Sequence, residues 1–153
     1  MKIDIELVKN KAKSNFLKGY NCSQSVVLAY ADYLNIDKDT LAKLSSTFGG
    51  GICRLRETCG AISGMMVVLG LLMGYSTPET GEVKAELYKK GQDVALEFEK
   101  QHKTLICREL LNKKGHDLPT PEARNENFYK TRPCLNLIIS AAEILGNYIN
   151  ENL

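Results

Sequence analysis

The chain has 153 residues, of which 44% are hydrophobic and 25% are charged, and its formal net charge is +2. These values are typical of one soluble globular domain with its own core. The small charge argues against nucleic acid or a membrane surface as the main partner. The longest apolar run, 65–73, is far shorter than the roughly 20 residues of a membrane-spanning helix. Because segment 1–15 has no apolar signal region, the sequence predicts a cytoplasmic protein without membrane insertion.

Helical periodicity dominates the first third of the chain. Apolar residues recur at helical spacing over 3–17 and over 22–34, and these segments are the first two predicted helices. Asp37 is expected to cap a short third helix over 40–46. The glycine run 49–51 then ends the periodic structure, and we interpret it as a flexible hinge between helices.

The segment 57–75 is apolar nearly all round, which predicts a central helix surrounded by the others. In the turn that follows, Thr77 is expected to cap the next helix and Pro78 to occupy its first position. The remaining elements are a long amphipathic helix over 81–100, a short apolar element at 105–107, a mostly irregular stretch over 113–132 and a last helix over 133–150. The sequence therefore predicts an all-α, single-domain bundle of five to six helices around the central apolar helix.

Three of the five cysteines fall where a helix is predicted to begin. Cys22 follows a Gly-Tyr-Asn break, Cys59 heads the central helix and Cys134 follows Pro133. A helix N-terminus has unpaired N–H groups and the positive end of the macrodipole, so a thiol there is expected to favour the thiolate. Each cysteine taken alone could be a small core residue. Three such placements are harder to attribute to packing.

The other two cysteines are less clearly placed. Cys107 lies in an apolar patch beside Arg108. Cys53 is flanked by Arg54 and Arg56, which would favour a thiolate, although a loop cysteine without a function is the simpler interpretation. No Cys-x-x-Cys pair occurs, so thioredoxin-type motifs, zinc ribbons and ferredoxin-like runs have no support. Any shared site must be assembled from separate helices.

The stretch 59–64, Cys-Gly-Ala-Ile-Ser-Gly, resembles the motif of the C-GCAxxG-C-C family of redox-active proteins. The Gly-Tyr-Asn-Cys segment 19–22, the glycine run 49–51 and the apolar continuation 65–72 match the family as well. Cys53 is an addition to the family pattern. The cysteines that the resemblance carries over are Cys22, Cys59, Cys107 and Cys134.

The resemblance extends to a domain of the split-Soret cytochromes, which contain an iron–sulfur cluster. This chain lacks Cys-x-x-Cys-His, so covalently bound haem is not expected. The resemblance implies an oxidoreductase or electron carrier with a redox partner protein that the sequence does not identify. Homodimer formation is left open.

Three functional hypotheses remain for the single domain 1–153. In the first, the four family cysteines hold a two-iron or four-iron cluster and the protein transfers electrons. In the second, a cysteine pair, with Cys59 and Cys22 as the first choice, acts as a reversible thiol/disulfide without metal. In the third, the cysteines bind structural zinc, or they are core residues of a helical interaction protein.

Overall fold

The computed structural model describes residues 1–78 and 80–153, and these contain helices but no strand. The predicted all-α class is confirmed, although the described residues form eight α-helices rather than five to six. Two short 3-10 turns follow the second and third helices, at Ala31–Tyr33 and Ser46–Phe48. None of the described helices is long and apolar enough to cross a membrane. The α-helices are α1 (Ile5–Leu17), α2 (Cys22–Ala29), α3 (Lys38–Ser45), α4 (Gly60–Met73), α5 (Gly81–His102), α6 (Cys107–Leu110), α7 (Glu126–Thr131) and α8 (Cys134–Asn152).

The additional helices α6 and α7 are short. α6 begins at Cys107, the last residue of the apolar element predicted at 105–107. α7 lies within the stretch 113–132, which is predicted to be mostly irregular. The start of α7 is fixed by Asn125, whose side-chain oxygen accepts a hydrogen bond from the Phe128 N–H at 2.9 Å. Because α7 has only six residues, hydrophobic periodicity could not reveal it.

Side chains at the helix starts confirm one predicted cap and reveal a second that was not predicted. Asp37 accepts a hydrogen bond from the Thr40 N–H at 2.9 Å and caps α3, as predicted. Asn21 caps α2 in a reciprocal arrangement with Gln24, whose side chain accepts from the Asn21 N–H at 3.1 Å. This capping box fixes the position at which α2 begins, and therefore the position of its first residue, a cysteine.

The start of α5 differs from the prediction that Thr77 caps the helix and Pro78 occupies its first position. The helix begins at Gly81, after Thr80, whose backbone is extended with φ −68° and ψ 164°. Glu79, which belongs to the predicted turn, lies outside the described residues. The turn between α4 and α5 is therefore longer than the Thr-Pro pair suggested.

α2, α4 and α8 share the centre of the bundle, so the prediction of one central helix is only partly right. α2 packs against α1, α3, α4 and α8, while α4 packs against α2, α3, α5 and α8. The N-terminal part of α4 is mostly buried, but Gly70 and Leu71 near its end are exposed. The apolar pattern of 57–75 thus overstates the burial of this helix.

The end of the bundle where α1, α8 and the last residue of α2 meet is apolar and closed. Tyr30, directly after α2, is fully buried, and its hydroxyl donates a hydrogen bond to the Ala142 carbonyl of α8 at 2.6 Å. The Ile3 N–H donates to Asn150 Oδ1 at 2.7 Å, and Asn150 Nδ2 donates to the Ile3 carbonyl at 3.0 Å. We call this region the closed end.

The connection between α3 and α4 is a hydrogen-bonded left-handed turn rather than a flexible hinge. Its backbone includes the Cys53 N–H bond to the Thr47 carbonyl at 2.8 Å and the Arg56 N–H bond to the Gly50 carbonyl at 3.1 Å. A left-handed backbone costs a non-glycine residue about 1–2 kcal/mol, so surrounding contacts must offset the strain. The residues with positive φ are Gly50, Gly51, Ile52, Cys53, Arg54 and Arg56.

Candidate functional site

Four of the five cysteines lie at helix starts. Cys22, Cys107 and Cys134 are the first residues of α2, α6 and α8. Cys59 immediately precedes α4 and occupies its N-cap position. The sequence predicts this placement for three of them, and the structure adds Cys107 because α6 begins there.

These four cysteines line one cavity with a volume of about 440 Å³. Cys59 lies close enough to Cys22, Cys107 and Cys134 for electrostatic interaction with each of them. Residues far apart in the sequence therefore converge on one site. Other residues of the cavity wall include Cys53, Arg54, Arg56, Arg124, Arg132, Phe16, Leu110, Leu111, Phe128 and Leu137.

Two backbone hydrogen bonds bring Cys59 and Cys107 together. The Cys59 N–H donates to the Leu105 carbonyl at 2.8 Å, and the Cys107 N–H donates to the Glu57 carbonyl at 2.6 Å. These bonds flank an isolated antiparallel bridge between the two segments, which we call the α4–α6 bridge. The bridge fixes the starts of α4 and α6 side by side, so that both cysteines reach the cavity.

Two glycines make room for the cysteine side chains. A Cβ at Gly60 would overlap the Sγ of Cys22 and would lie 2.9 Å from the Phe48 carbonyl oxygen. A Cβ at Gly51, whose φ is +68°, would lie 2.7 Å from the Cβ of Cys107. The Cys-Gly pair of the sequence motif therefore has a steric reason, because the second residue must leave space for a sulfur atom from another helix.

The pKa of three of these thiols is raised, which is the opposite of the effect expected from helix N-termini. Burial raises the pKa of Cys22, raises that of Cys59 well above its usual value and raises that of Cys134 to about 12. Backbone N–H groups of Gly50 and Ala61 lower the pKa of Cys22 and Cys59, but the loss of solvation is the larger effect. The three thiols are therefore protonated at neutral pH without a metal, and metal ligation would release their protons.

Arg56 makes a hydrogen bond to the sulfur of Cys107. Its side chain is buried, and Nη1 donates to Cys107 Sγ at 3.6 Å. Its Nε donates to the Asp117 carboxylate at 2.7 Å. Hydrogen bonds from Lys113 and Arg56 lower the pKa of Asp117 to about 2. Arg56 is predicted to favour a thiolate at Cys53, but its guanidinium group contacts Cys107 instead.

Cys53 differs from the four cysteines at the helix starts. It is exposed, it lies in the left-handed turn with φ +48°, and its thiol donates to the Thr47 carbonyl at 3.4 Å. It also lines the cavity. Its exposure and its place outside the helix starts make it a suitable comparison for the other four.

Two arginines on either side of α7 line the cavity and were not predicted as site residues. Arg124 lies over the ring of Phe16, with 4.2 Å between guanidinium carbon and ring centroid. Arg132 pairs with Glu122 and lies 5.4 Å from the ring centroid of Phe128. The only sequence signal that could have found them is their residue type, because the segment around them shows no periodic pattern.

The described residues contain no group of three or more His, Cys, Asp or Glu side chains arranged to hold a metal ion. The cysteine side chains surround the cavity without meeting at a common centre. A structural zinc site would require sulfur ligands about 2.3 Å from one ion. An iron–sulfur cluster would likewise need its sulfur ligands around one centre, so this arrangement does not distinguish zinc from a cluster.

The fold and the site define an all-α domain in which the starts of four helices each carry a cysteine at one cavity. Residues 20–148 match the family described as "Putative redox-active protein (C_GCAxxG_C_C)". Because the match covers most of the chain, the protein belongs to this family, and the resemblance stated from its motifs is confirmed. Neither a search of curated proteins nor a search of solved structures gives a match.

Proposed function

We propose that this protein transfers electrons through an iron–sulfur cluster held by Cys22, Cys59, Cys107 and Cys134. One observation carries the proposal: four helices from distant parts of the chain each have a cysteine as first residue or N-cap at the same cavity. Four thiolates are the usual ligand number for two-iron and four-iron clusters. Packing alone does not require cysteine at all four positions.

The donor set and its surroundings fit such a cluster. Thiolate sulfur is the ligand type that iron–sulfur clusters use. The N-termini of α2, α4 and α8 direct positive ends of helix dipoles toward the cavity. The Gly50 N–H at Cys22 and the Arg56 guanidinium at Cys107 supply hydrogen bonds to sulfur. Loading requires the cysteine side chains to rotate toward a common centre, since they do not meet in the structure.

The bound cluster would supply one-electron redox chemistry, and the protein would set its environment. Cys59 and Cys107 are buried, so the wall around them excludes water from the sulfur atoms. Arg56 and the helix dipoles favour the state with more negative charge, which raises the reduction potential. Cys22 and Cys134 are half-buried, so we expect the electron partner to approach on their side.

Anaerobic purification followed by an absorption spectrum and assays of iron and acid-labile sulfide tests the proposal. We expect a brown protein with about two or four iron atoms per chain and a matching amount of sulfide. The proposal fails if the protein stays colourless and free of iron after reconstitution with ferrous iron and sulfide under reducing conditions.

Single substitutions to serine assign the ligands. We expect Cys22→Ser, Cys59→Ser, Cys107→Ser and Cys134→Ser each to lower the iron content strongly. Cys53→Ser is the matched control and should keep the wild-type iron content, because Cys53 begins no helix. Equal iron loss in Cys53→Ser and Cys59→Ser would contradict the assignment.

A second candidate function is a metal-free thiol/disulfide reaction between Cys22 and Cys59. The specific observation in its favour is that Cys22 Sγ packs against Gly60, directly beside Cys59. In this reaction both thiols lose a proton, a sulfur–sulfur bond forms, and two electrons reduce the disulfide of a partner to two thiols. The high pKa of both thiols slows such an exchange at neutral pH.

Counting thiols in the metal-free protein and in the iron-loaded protein separates the two candidates. Five thiols per chain are expected in the reduced protein. The dithiol function predicts a loss of two thiols on treatment with oxidised glutathione, and it predicts that Cys22→Ser prevents this loss. Under the cluster function, the iron-loaded protein keeps its thiols protected and Cys22→Ser loses the iron.

A further inference from the structure

Arginine is concentrated at the cavity in a way that lysine is not. The chain contains five arginines and fifteen lysines. Four of the arginines line the cavity and no lysine does. The guanidinium group offers a planar fork that matches an oxyanion, whereas the lysine ammonium is a point charge. Arginine is therefore suited to binding a planar oxyanion, in addition to its pairs with Asp117 and Glu122.

The nearby carboxylates do not balance these arginines. Asp117 pairs with Arg54 and Arg56, and Glu122 pairs with Arg132 and more distantly with Arg54. Lys113 also pairs with both carboxylates and adds a further positive charge. Two carboxylates thus face three guanidinium groups, and an excess of positive charge remains at the cavity wall.

The hydrogen-bond partners of the arginines do not all carry negative charge. Arg124 directs its two terminal nitrogens to the carbonyl oxygens of Phe16 and Tyr20, at 2.5 and 2.8 Å, rather than to a carboxylate. Within the described residues, the Nε of Arg54 is buried and has no hydrogen-bond partner. Because Arg124 donates to neutral carbonyl oxygens, these two hydrogen bonds do not balance its positive charge.

The rest of the wall is largely apolar. Phe16 and Phe128 lie beneath the guanidinium groups of Arg124 and Arg132. Leucines and prolines also line the cavity, together with the polar side chains of Asn21, Ser46 and Glu122. The volume of about 440 Å³ lies in the range of sites for small organic molecules. We propose that the cavity binds a small organic carboxylate, with its charged group at the arginines and its apolar body against the aromatic and leucine side chains.

Calorimetric titration with sodium hexanoate tests this site in the iron-free protein and in the iron-loaded protein. We expect hexanoate to bind both forms with a dissociation constant in the millimolar range or below. Hexanol has the same apolar body without the charge, and its binding should be at least about tenfold weaker. Inorganic phosphate has the charge without the apolar body and should also bind more weakly than hexanoate.

Two variants of Arg132 have a matched control nearby. Arg132→Lys keeps the charge but loses the fork, and we expect hexanoate binding to weaken by about fivefold; Arg132→Met should weaken it further. Lys130→Met is the control, because Lys130 is exposed, pairs with Glu126 and does not line the cavity. If Arg132→Met fails to fold, Arg132→Lys still tests the site, since it retains the pairing with Glu122.

Three results would overturn the inference. Hexanol could bind as tightly as hexanoate, or Arg132→Lys could bind hexanoate as tightly as Lys130→Met. Hexanoate binding could also occur in the iron-free protein and disappear on loading, which would assign the arginines to balancing the charge of the cluster. Because the titration of iron-free protein does not depend on iron, failure of the carboxylate site and failure of the cluster proposal are distinguishable.

Discussion

The two ends of this bundle use their buried residues in opposite ways. The closed end is apolar, and its buried polar groups have partners, as the bond from Tyr30 to the Ala142 carbonyl shows. The cavity end contains buried thiols with raised pKa values, the buried Arg56 and a left-handed turn with four non-glycine residues. Such features reduce stability unless other contacts offset them. The difference indicates that the closed end stabilises the fold and that the cavity end is shaped by its chemistry.

The largest effect that would test this comparison is expected from Gly60→Ala. The added Cβ would overlap Cys22 Sγ and would lie 2.9 Å from the backbone carbonyl oxygen of Phe48, which is part of the main chain and cannot rotate away. We therefore expect the cavity end to rearrange and iron loading to be lost, as measured by iron content after anaerobic reconstitution.

Gly70→Ala is the matched control in the same helix. A Cβ at Gly70 meets no atom within 4 Å, so iron content should stay at the wild-type level. Replacing a helical glycine with alanine should even raise the free energy of unfolding by roughly 0.5–1 kcal/mol. Equal iron content in Gly60→Ala and wild type would show that the close packing at Cys22 is not needed for loading.

An intermediate effect is expected at the closed end from Tyr30→Phe. This change removes the hydrogen bond to the Ala142 carbonyl and leaves the ring in place. The free energy of unfolding in urea should fall by about 1 kcal/mol, because one buried hydrogen bond is lost. The iron content should not change, since Tyr30 does not line the cavity.

Tyr88→Phe is the control for this prediction, because Tyr88 is 60% exposed and should contribute little. A loss of iron in Tyr30→Phe without a loss in Tyr88→Phe would mean that the two ends are coupled, contrary to the comparison.

The smallest effect concerns Asp117 and pH. Its pKa is about 2 in the folded protein, against an ordinary value of 3.8, because Lys113 and Arg56 donate hydrogen bonds to it. A lowered folded pKa adds stability that is fully present above the unfolded pKa and is lost as the pH falls through about 2. Wild type should therefore exceed Asp117→Asn in urea midpoint by a constant amount above about pH 5, and the difference should shrink between about pH 4 and 2. A difference that stays constant down to pH 2 would contradict this pKa.

Local rules predicted the helix starts from the sequence more successfully than the chemistry of the site. Asp37 caps α3 as predicted, and the cysteines expected at helix starts are found there. These features depend on neighbouring residues, which a sequence displays directly. Thiolate stabilisation failed as an expectation because it considered the helix dipole alone, whereas burial of Cys22, Cys59 and Cys134 depends on packing between distant segments.

The arginines of the cavity illustrate the same limit. Arg56 lies beside Cys53 in the sequence, but its guanidinium group reaches Cys107 across the α4–α6 bridge. Arg124 and Arg132 lie on a segment whose short helix and prolines give no periodic signal. Only tertiary structure brings these side chains to the same wall, so no local pattern could predict their shared role.

The α4–α6 bridge has a consequence for the local opening of the protein. The bridge holds together the two ends of the segment 60–104, which contains α4 and α5. The first half of α5 has no buried residue. Amide hydrogen exchange should therefore be fast in the first half of α5. It should be slow at the Cys59 and Cys107 amides, whose hydrogen bonds belong to the α4–α6 bridge. The outer part of α5 can then open and reclose many times while the starts of α4 and α6 stay together.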